Sequence, residues 1–441
     1  MNQDIDVSPF FLCPISLQLM NDPVTVSTGI TYDRQSIEKW LFSSQNNTCP
    51  VTKQQLLHDH QNLIILTPNH TLRRLIQAWC TINSSYGVQR IPTPKPPTTQ
   101  TLIEKHLKEA SESSDSPHLL IQSLRKLKTI ASESETNRRC IESAGAVEFL
   151  ASIVTKNNTN CSSSSSTTES TETNILDDDN IEGFAFDFDI GAEDEAVSIL
   201  YNLHLTEQGL KTLLNFNNGE FLDSLLRLMQ KGNYDSRTYA VFLLKSMSKV
   251  ADPSELANLK TEFFVELVQL LKDQISKKAS KATLQTLIPL VEFGRNRVRA
   301  VESGCVSVLI ELLLDCKERK PCEMILVLLE MLCQSADGRA ELLSHGCGLA
   351  IVSKKILRIS TMANDRAVRI LLSVARFSAT HIVVQEMLQI GVVAKLCLVL
   401  QVDSGNKAKE KAREILKLHA KSWSNSHCVP TNLLASYPTS G

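Results

Sequence analysis

The pattern Gly-small-apolar-x-x-Leu-x-x-apolar-apolar recurs along most of this chain, and recurrence at a fixed spacing limits the fold more than composition can. Clear copies open at Gly145, Gly304 and Gly391, weaker ones at Gly219 and Gly346, and Glu262-Phe263-Phe264 begins a copy without its glycine. From Gly219 onward the spacings are 43, 42, 42 and 45 residues. Within each copy apolar residues fall at i, i+3, i+4 and i+7 with little strand-like alternation, so the units are helical. A unit this short cannot bury its own apolar face. Stacking on its neighbours is required, and the result is an all-α solenoid.

A period near 42 fits armadillo or HEAT repeats. The interval from Gly145 to Gly219 is 74 residues, one period plus an insertion, and the surplus falls on a Ser/Thr run from Cys161 to Ser170 and the acidic run after it. Between Lys156 and Lys211 there are twelve acidic residues, Glu169 to Glu207, and no Lys or Arg. Low hydrophobicity and single-sign charge cannot offset the entropy of ordering, so 157–192 reads as a disordered loop inserted in a repeat array spanning 101–423, with 424–441 a flexible tail. The formal net charge is −2, so the rest of the chain is net basic. That biases a groove toward acidic partners, and with no nucleic-acid motif it gives no ground for a nucleic-acid partner.

The 441 residues, 42% of them hydrophobic, accommodate such an array and one further small domain. Twelve cysteines are scattered through apolar helical context, Cys305, Cys333 and Cys397 among them, which points to reduced, buried thiols in a reducing compartment. Met1 to Asp6 is acidic and lacks the basic flank and apolar run of a secretory signal. The most apolar stretches, such as Met324 to Leu332, are interrupted by charges well short of a membrane span, so no integral membrane segment is expected.

The N-terminal residues carry the motif-bearing domain, 8–82, and Ile91-Pro92-Thr93-Pro94-Lys95-Pro96-Pro97 marks a proline-rich linker over 83–100. Phe11-Leu12-Cys13-Pro14-Ile15-Ser16, Asp22-Pro23-Val24, Thr31-Tyr32-Asp33-Arg34, Trp40 and Cys49-Pro50-Val51-Thr52 lay out two loops around one helix. A zinc-bound domain of this kind needs two four-ligand sites, eight Cys or His in all. Cys13, Cys49, Cys80, His58, His60 and His70 are the six on offer, and no C-x2-C occurs, so neither metal nor any other cofactor is expected. Val24 to Thr31 reads as a hairpin turning at Gly29. Asp33 is read as the N-cap of a helix bearing Ile37, Trp40 and Leu41, and Asn69 as the N-cap of one turning Leu72, Leu75, Ile76 and Trp79 inward. A domain of about 75 residues draws roughly 3 to 5 kcal/mol from its core, so its loops need staples. Hydrogen bonds and ion pairs of Ser16, Asp22, Asp33, Arg34, Thr52 and Asn69 are the expected ones.

These motifs at these spacings resemble the U-box of ubiquitin ligases, and joined to armadillo-type repeats they resemble the plant U-box/armadillo ligases with an N-terminal U-box. The resemblance implies a small α+β, zinc-less RING-like U-box followed by an all-α armadillo-type solenoid. It implies that Ile15, Leu17, Trp40 and Pro50 form a shallow groove for a ubiquitin-conjugating enzyme. Lys53 falls where many members carry a basic residue, usually Arg, that contacts the conjugated ubiquitin. Cys13, Asp22, Pro23, Val24, Tyr32, Asp33, Arg34, Cys49, Thr52 and Asn69 are implied to be structural. The repeats would present a protein substrate, and the location would be cytoplasmic or nuclear, with relatives acting in plant stress and defence signalling.

The alternative for Ile15 and Trp40 is plain core, but large apolar groups on loops too short to bury them point to an interface. A thioester nucleophile at Cys13 or Cys49 is disfavoured because no His is placed to activate either. Phosphate loops, H-E-x-x-H and G-x-S-x-G are absent. Catalysis would then be positioning of a charged conjugating enzyme, with no nucleophile on this chain. The competing function is a non-catalytic armadillo scaffold with a structural U-box. A nuclear-import adaptor is weaker still, since the array carries one Trp, Trp423, in place of regular Trp-Asn pairs.

Overall fold

The computed structural model describes residues 7–43, 46–57, 64–91, 100–112, 116–156, 191–402 and 405–423. The chain divides into two compact units, 1–150 with 187–205 and 151–186 with 206–441.

The first unit begins with a three-stranded antiparallel sheet. β1 (Pro23–Thr25) lies between β2 (Thr31–Asp33) and β3 (Thr67–Pro68), with Val24 opposite both Tyr32 and Pro68. The hairpin turns at Gly29, φ +82°, whose amide donates to the Val26 carbonyl at 2.9 Å. That left-handed geometry costs a glycine nothing. α1 (Arg34–Ser43) and α2 (His70–Ile82) pack on the sheet, and Cys13, Met20, Val24, Tyr32, Ile37 and Ile76 lie at the centre of the core. Asn69 caps α2, accepting from the Leu72 amide at 3.0 Å. Leu75, read from periodicity as inward, is 54% exposed; Ile76 and Cys80 hold the buried stripe instead.

The linker expected over 83–100 starts later. Val88 packs against the core and Ile91 is buried in it, because Ser84–Tyr86 forms a short turn closed by Gly87 at φ +84° that folds the chain back onto α2. Residues 92–99 lie outside the described residues, and Gln100 already opens α3 (Gln100–Glu112), one residue before the expected start of the array. α4 (Pro117–Glu133) and α5 (Glu135–Ser143) follow, then α6 (Ala146–Thr155), within which the division between units falls, and α7 (Ala192–Asn202). The expected loop 157–192 and tail 424–441 lie outside the described residues, apart from Gly191 and Ala192. Gly191 is the N-cap and Ala192 the first residue of α7, because the run's last carboxylates Glu193, Asp194 and Glu195 suit a helix N-terminus. Glu195 is buried and paired with Lys128 at 3.0 Å.

Among the described residues from 206 on, the second unit holds five successive helix triplets: α8 to α10 (Glu207–Asn215, Glu220–Lys231, Tyr234–Met247), α11 to α13 (Pro253–Ala257, Thr261–Asp273, Lys277–Leu290), α14 to α16 (Gly294–Glu302, Cys305–Asp315, Arg319–Leu332), α17 to α19 (Ala336–Ser344, Gly348–Lys355, Thr361–Phe377) and α20 to α22 (His381–Gln389, Val392–Gln401, Asn406–Leu418). α23 (Ala420–Trp423) closes it, with Trp423 fully buried and its indole N–H donating to the Val384 carbonyl at 3.1 Å. The third helices pack one on the next, α10 on α13, α13 on α16, α16 on α19 and α19 on α22.

The repeat glycine marks the corner before the second helix. Gly219, Gly304 and Gly391 stand at φ +91°, +76° and +76°, and Gly145 in the first unit at +81°. In the weaker copy the constrained residue is Gly348 rather than Gly346, since a Cβ there would meet the Leu342 carbonyl oxygen at 2.0 Å. Among the described residues no single helix is long and apolar enough to cross a membrane.

Candidate functional site

Two loops of the first domain share one conformation. Cys13-Pro14-Ile15-Ser16-Leu17-Gln18 and Cys49-Pro50-Val51-Thr52-Lys53-Gln54 each close with the cysteine amide donating to the glutamine carbonyl, at 2.9 and 2.8 Å. In each, the amide of the fifth residue returns to the cysteine carbonyl, at 2.8 Å for Leu17 and 2.9 Å for Lys53. The hydroxyls of Ser16 and Thr52 both accept from the glutamine amide at 3.4 Å. Leu17 and Lys53 both take positive φ, +56° and +60°. That is costly for residues with a Cβ, so it persists only where the surrounding hydrogen bonds over-determine the turn.

The two thiols anchor these loops from inside. Cys13 and Cys49 are 0% exposed. Cys13 Sγ accepts from the Asp33 amide at 3.3 Å; Cys49 Sγ lies 3.3 Å from the Thr28 hydroxyl, which donates to it, and 3.0 Å from the Tyr32 hydroxyl. Burial pushes the Cys49 thiol up, but the hydroxyls of Thr28, Thr52 and Tyr32 outweigh it and bring it down to about 6. Burial together with Cys49 drives the Tyr32 phenol upward, which keeps it a donor. The Tyr32 hydroxyl also accepts from the Val51 amide at 3.3 Å, tying the second loop to the sheet. No three His, Cys, Asp or Glu side chains converge as a metal site requires among the described residues. A sealed thiol cannot accept ubiquitin from another protein, so neither cysteine is placed as a nucleophile.

Charged staples join the loops to the helices. Asp22 takes Arg34 Nε at 2.6 Å and Arg73 at 3.5 Å, and Pro23, next in β1, gives its carbonyl to the Asn69 amide at 2.8 Å. The Asn69 amide group reaches the Thr25 and Thr31 hydroxyls at 3.3 and 3.4 Å. Asp33 does not cap α1 as its position in sequence implied. Its Oδ1 accepts from the Asn21 and Asp22 amides at 2.8 and 3.1 Å, because the turn entering β1 leaves those donors otherwise unpaired.

On this frame Ile15 and Trp40 are half-buried, packing partly on the core and keeping an exposed part. The Trp40 indole N–H donates to the Thr48 carbonyl at 3.0 Å, and Lys53 Nζ sits 5.3 Å from the ring centroid. Pro50 is half-exposed, two residues after Thr48, and Leu17 is 74% exposed on the first loop. Sequence reasoning passed over Val51, the second loop's counterpart of Ile15, which is 54% exposed. The signal was present, since C-P-[IV]-[ST]-x-Q is written twice. The ensemble is a partly exposed apolar patch with a cation at its edge.

The fold and this surface define a U-box protein with an armadillo array. Residues 7–85 match the U-box domain family and residues 102–439 the plant U-box protein ARM repeat region, so the chain belongs to the plant U-box/armadillo family. It is 54% identical to the E3 ubiquitin-protein ligase PUB22 of Arabidopsis thaliana over 99% of this chain and 100% of that protein. It is 50% identical to PUB23 of the same plant, over 99% of this chain and 98% of that one. Among solved structures, one from the work "A conserved phosphorylation switch controls the interaction between cadherin and beta-catenin in vitro and in vivo" superposes with a TM-score of 0.56 at 14% identity, covering 79% of this chain and 58% of that one. That likeness concerns the helical fold alone.

Proposed function

We propose that the chain is a ubiquitin-protein ligase that acts without a covalent ubiquitin intermediate of its own. Its U-box binds a ubiquitin-charged conjugating enzyme through Ile15, Leu17, Trp40 and Pro50, with Val51 added to that set, and Lys53 contacts the conjugated ubiquitin. The armadillo array binds the protein substrate. The observation that carries this reading is the paired loops, which expose Leu17 and Val51 and leave Ile15 and Trp40 half-buried while both thiols are sealed inside. The names of the full-length relatives support it. A cytoplasmic or nuclear location and a role in stress and defence signalling belong to the same proposal and rest on the family resemblance.

Mechanistically the chain supplies position. An apolar contact seats the conjugating enzyme, and holding a substrate lysine near the thioester converts a bimolecular attack into an effectively unimolecular one. The test is self-ubiquitination by the purified chain with activating enzyme, conjugating enzyme, ubiquitin and ATP. Ubiquitin ladders that vanish when the conjugating enzyme is omitted support the ligase; none with any of a broad panel of conjugating enzymes would leave the scaffold reading standing.

A further inference from the structure

α1 uses two faces. Ile37 and Leu41 face the core, and Trp40 belongs to the loop surface, but Glu38 lies two residues before Trp40, about 200° around the helix. Glu38 is 4% exposed, an unusual place for a carboxylate, and its partners belong to α5, within the armadillo array. One carboxylate oxygen accepts from the Glu135 amide at 3.2 Å, the first residue of α5, and the other from the Thr136 hydroxyl at 2.9 Å. One turn further along α1, the Arg139 guanidinium stacks over the Phe42 ring at 5.8 Å. On the near side Arg34 bridges Glu38, at 3.8 Å, and Asp22, at 2.6 Å.

Ser134 caps α5 by accepting from the Asn137 amide, so Glu38 supplies from another domain the acceptor that the Glu135 amide lacks. A carboxylate is desolvated at a cost, which is borne only where its hydrogen bonds are specific. Removing Glu38 leaves the Ser134 cap in place but deletes both hydrogen bonds that this carboxylate makes to α5.

We propose that Glu38 is a positioning residue for ubiquitin transfer: it locks the U-box to the first armadillo repeat, so that a conjugating enzyme seated on the Trp40 face delivers ubiquitin at a set reach along the same chain. The inference rests on the ligase reading above. It differs from conjugating-enzyme binding, because the docking face and the Trp40 face lie on opposite sides of α1.

The experiment uses the full chain with a charged conjugating enzyme and three readouts. Discharge of ubiquitin onto free lysine reports the U-box alone. Peptide-resolved mass spectrometry of self-ubiquitination, at enzyme concentrations where the rate does not depend on dilution, reports reach. Hydrogen exchange over 134–139 reports docking. Glu38→Ala and Thr136→Val should discharge within about twofold of wild type and exchange faster over 134–139. Their preferred self-modification sites should lose roughly tenfold relative to discharge, the scale of a small misplacement of reacting groups. Glu38→Gln, which keeps an acceptor and the volume, should restore the wild-type site pattern. A wild-type pattern in a variant whose exchange has risen overturns the proposal, and so does unchanged exchange in both variants. If Glu38→Ala also loosens the core around Ile76 and Cys80, Thr136→Val decides, since it lies outside the U-box. Wild-type protein that discharges no ubiquitin sinks the ligase reading itself, a result separable from the others.

Discussion

Trp40→Ala and Ile15→Ala probe the same surface, and the structure separates what each removes. Full burial of a Trp side chain is worth roughly 3 to 5 kcal/mol on truncation. Trp40 is half-buried, so its packing accounts for about 2 kcal/mol, and the lost indole bond to Thr48, 3.0 Å long, adds about 1 kcal/mol. Set against the roughly 3 to 5 kcal/mol available to a domain of this size, Trp40→Ala leaves the U-box open in a measurable fraction of molecules. Ile15 sits on a loop already fixed by the Cys13 and Gln18 backbone bonds, and its truncation costs the fold about 1 kcal/mol or less. Both should weaken the conjugating-enzyme complex by on the order of 2 kcal/mol, roughly 30-fold. Because Cys13 and Cys49 are 0% exposed, peptide-resolved thiol labelling measures U-box opening directly in the full chain. Trp40→Ala should label both cysteines several-fold faster than wild type, while Ile15→Ala labels at the wild-type rate and still fails in ubiquitin transfer. Wild-type labelling and full transfer in Ile15→Ala would refute the placement of the groove. Wild-type labelling in Trp40→Ala would refute the packing argument.

The Cys49 thiol, held near 6 in the folded domain against an ordinary value near 9, makes the second loop pH-dependent. Its contribution is complete above about pH 9 and is lost as pH falls through about 6; Cys13 labelling, taken relative to the same cysteine in unfolded chain so that the falling thiolate fraction cancels, should therefore accelerate on acidification in that window, and Cys49→Ser should flatten the dependence. Gly304→Ala should cost about 1 kcal/mol in urea titration, purely from its left-handed φ of +76° with open space where the Cβ would stand. Gly348→Ala should cost more, roughly 2 to 3 kcal/mol, because its Cβ meets the Leu342 carbonyl. Lys53→Arg should raise the rate of ubiquitin discharge several-fold, since a guanidinium presents a planar fork where the ammonium presents a point charge; a rate equal to or below wild type would remove Lys53 from the ubiquitin contact.

The array was legible because its signal is redundant. A glycine that recurs at a helix corner is forced by φ, and four of the expected copies stand in that region, so periodicity and stereochemistry reinforce each other. Where one signal had to serve alone, reading was less secure. Leu75 fits a helical stripe as well as Ile76 does, and only the direction from which the sheet approaches α2 decides between them. Asp33 has the chemistry of an N-cap, yet two orphan amides twelve and eleven residues upstream compete for the same oxygen. Ile91 looked like linker because prolines follow it, although its burial is set by the turn at Gly87. The first two of these competitions are not local, and neither leaves a mark on a window of neighbouring residues.

The site shows the same division. Ile15 and Pro50 could be assigned to matching loops by motif, whereas the conformation of those loops follows from the buried thiols. A loop built around a sulfur that accepts backbone and hydroxyl hydrogens has its cysteine, its positive-φ residue and its outward apolar residue at fixed offsets, so the two loops copy one another residue for residue. Copying sets Lys53 opposite Leu17, one at the edge of each loop, and the Trp40 ring lies under the lysine at 5.3 Å. Of the three positions at which the loops differ, Ile15/Val51 and Ser16/Thr52 are conservative, and Leu17/Lys53 is the one that introduces a charge. On the far side of α1, Glu38 turns the same rigid helix into the joint with the armadillo array, so one ten-residue element sets both where a partner would be held and what it would be held against.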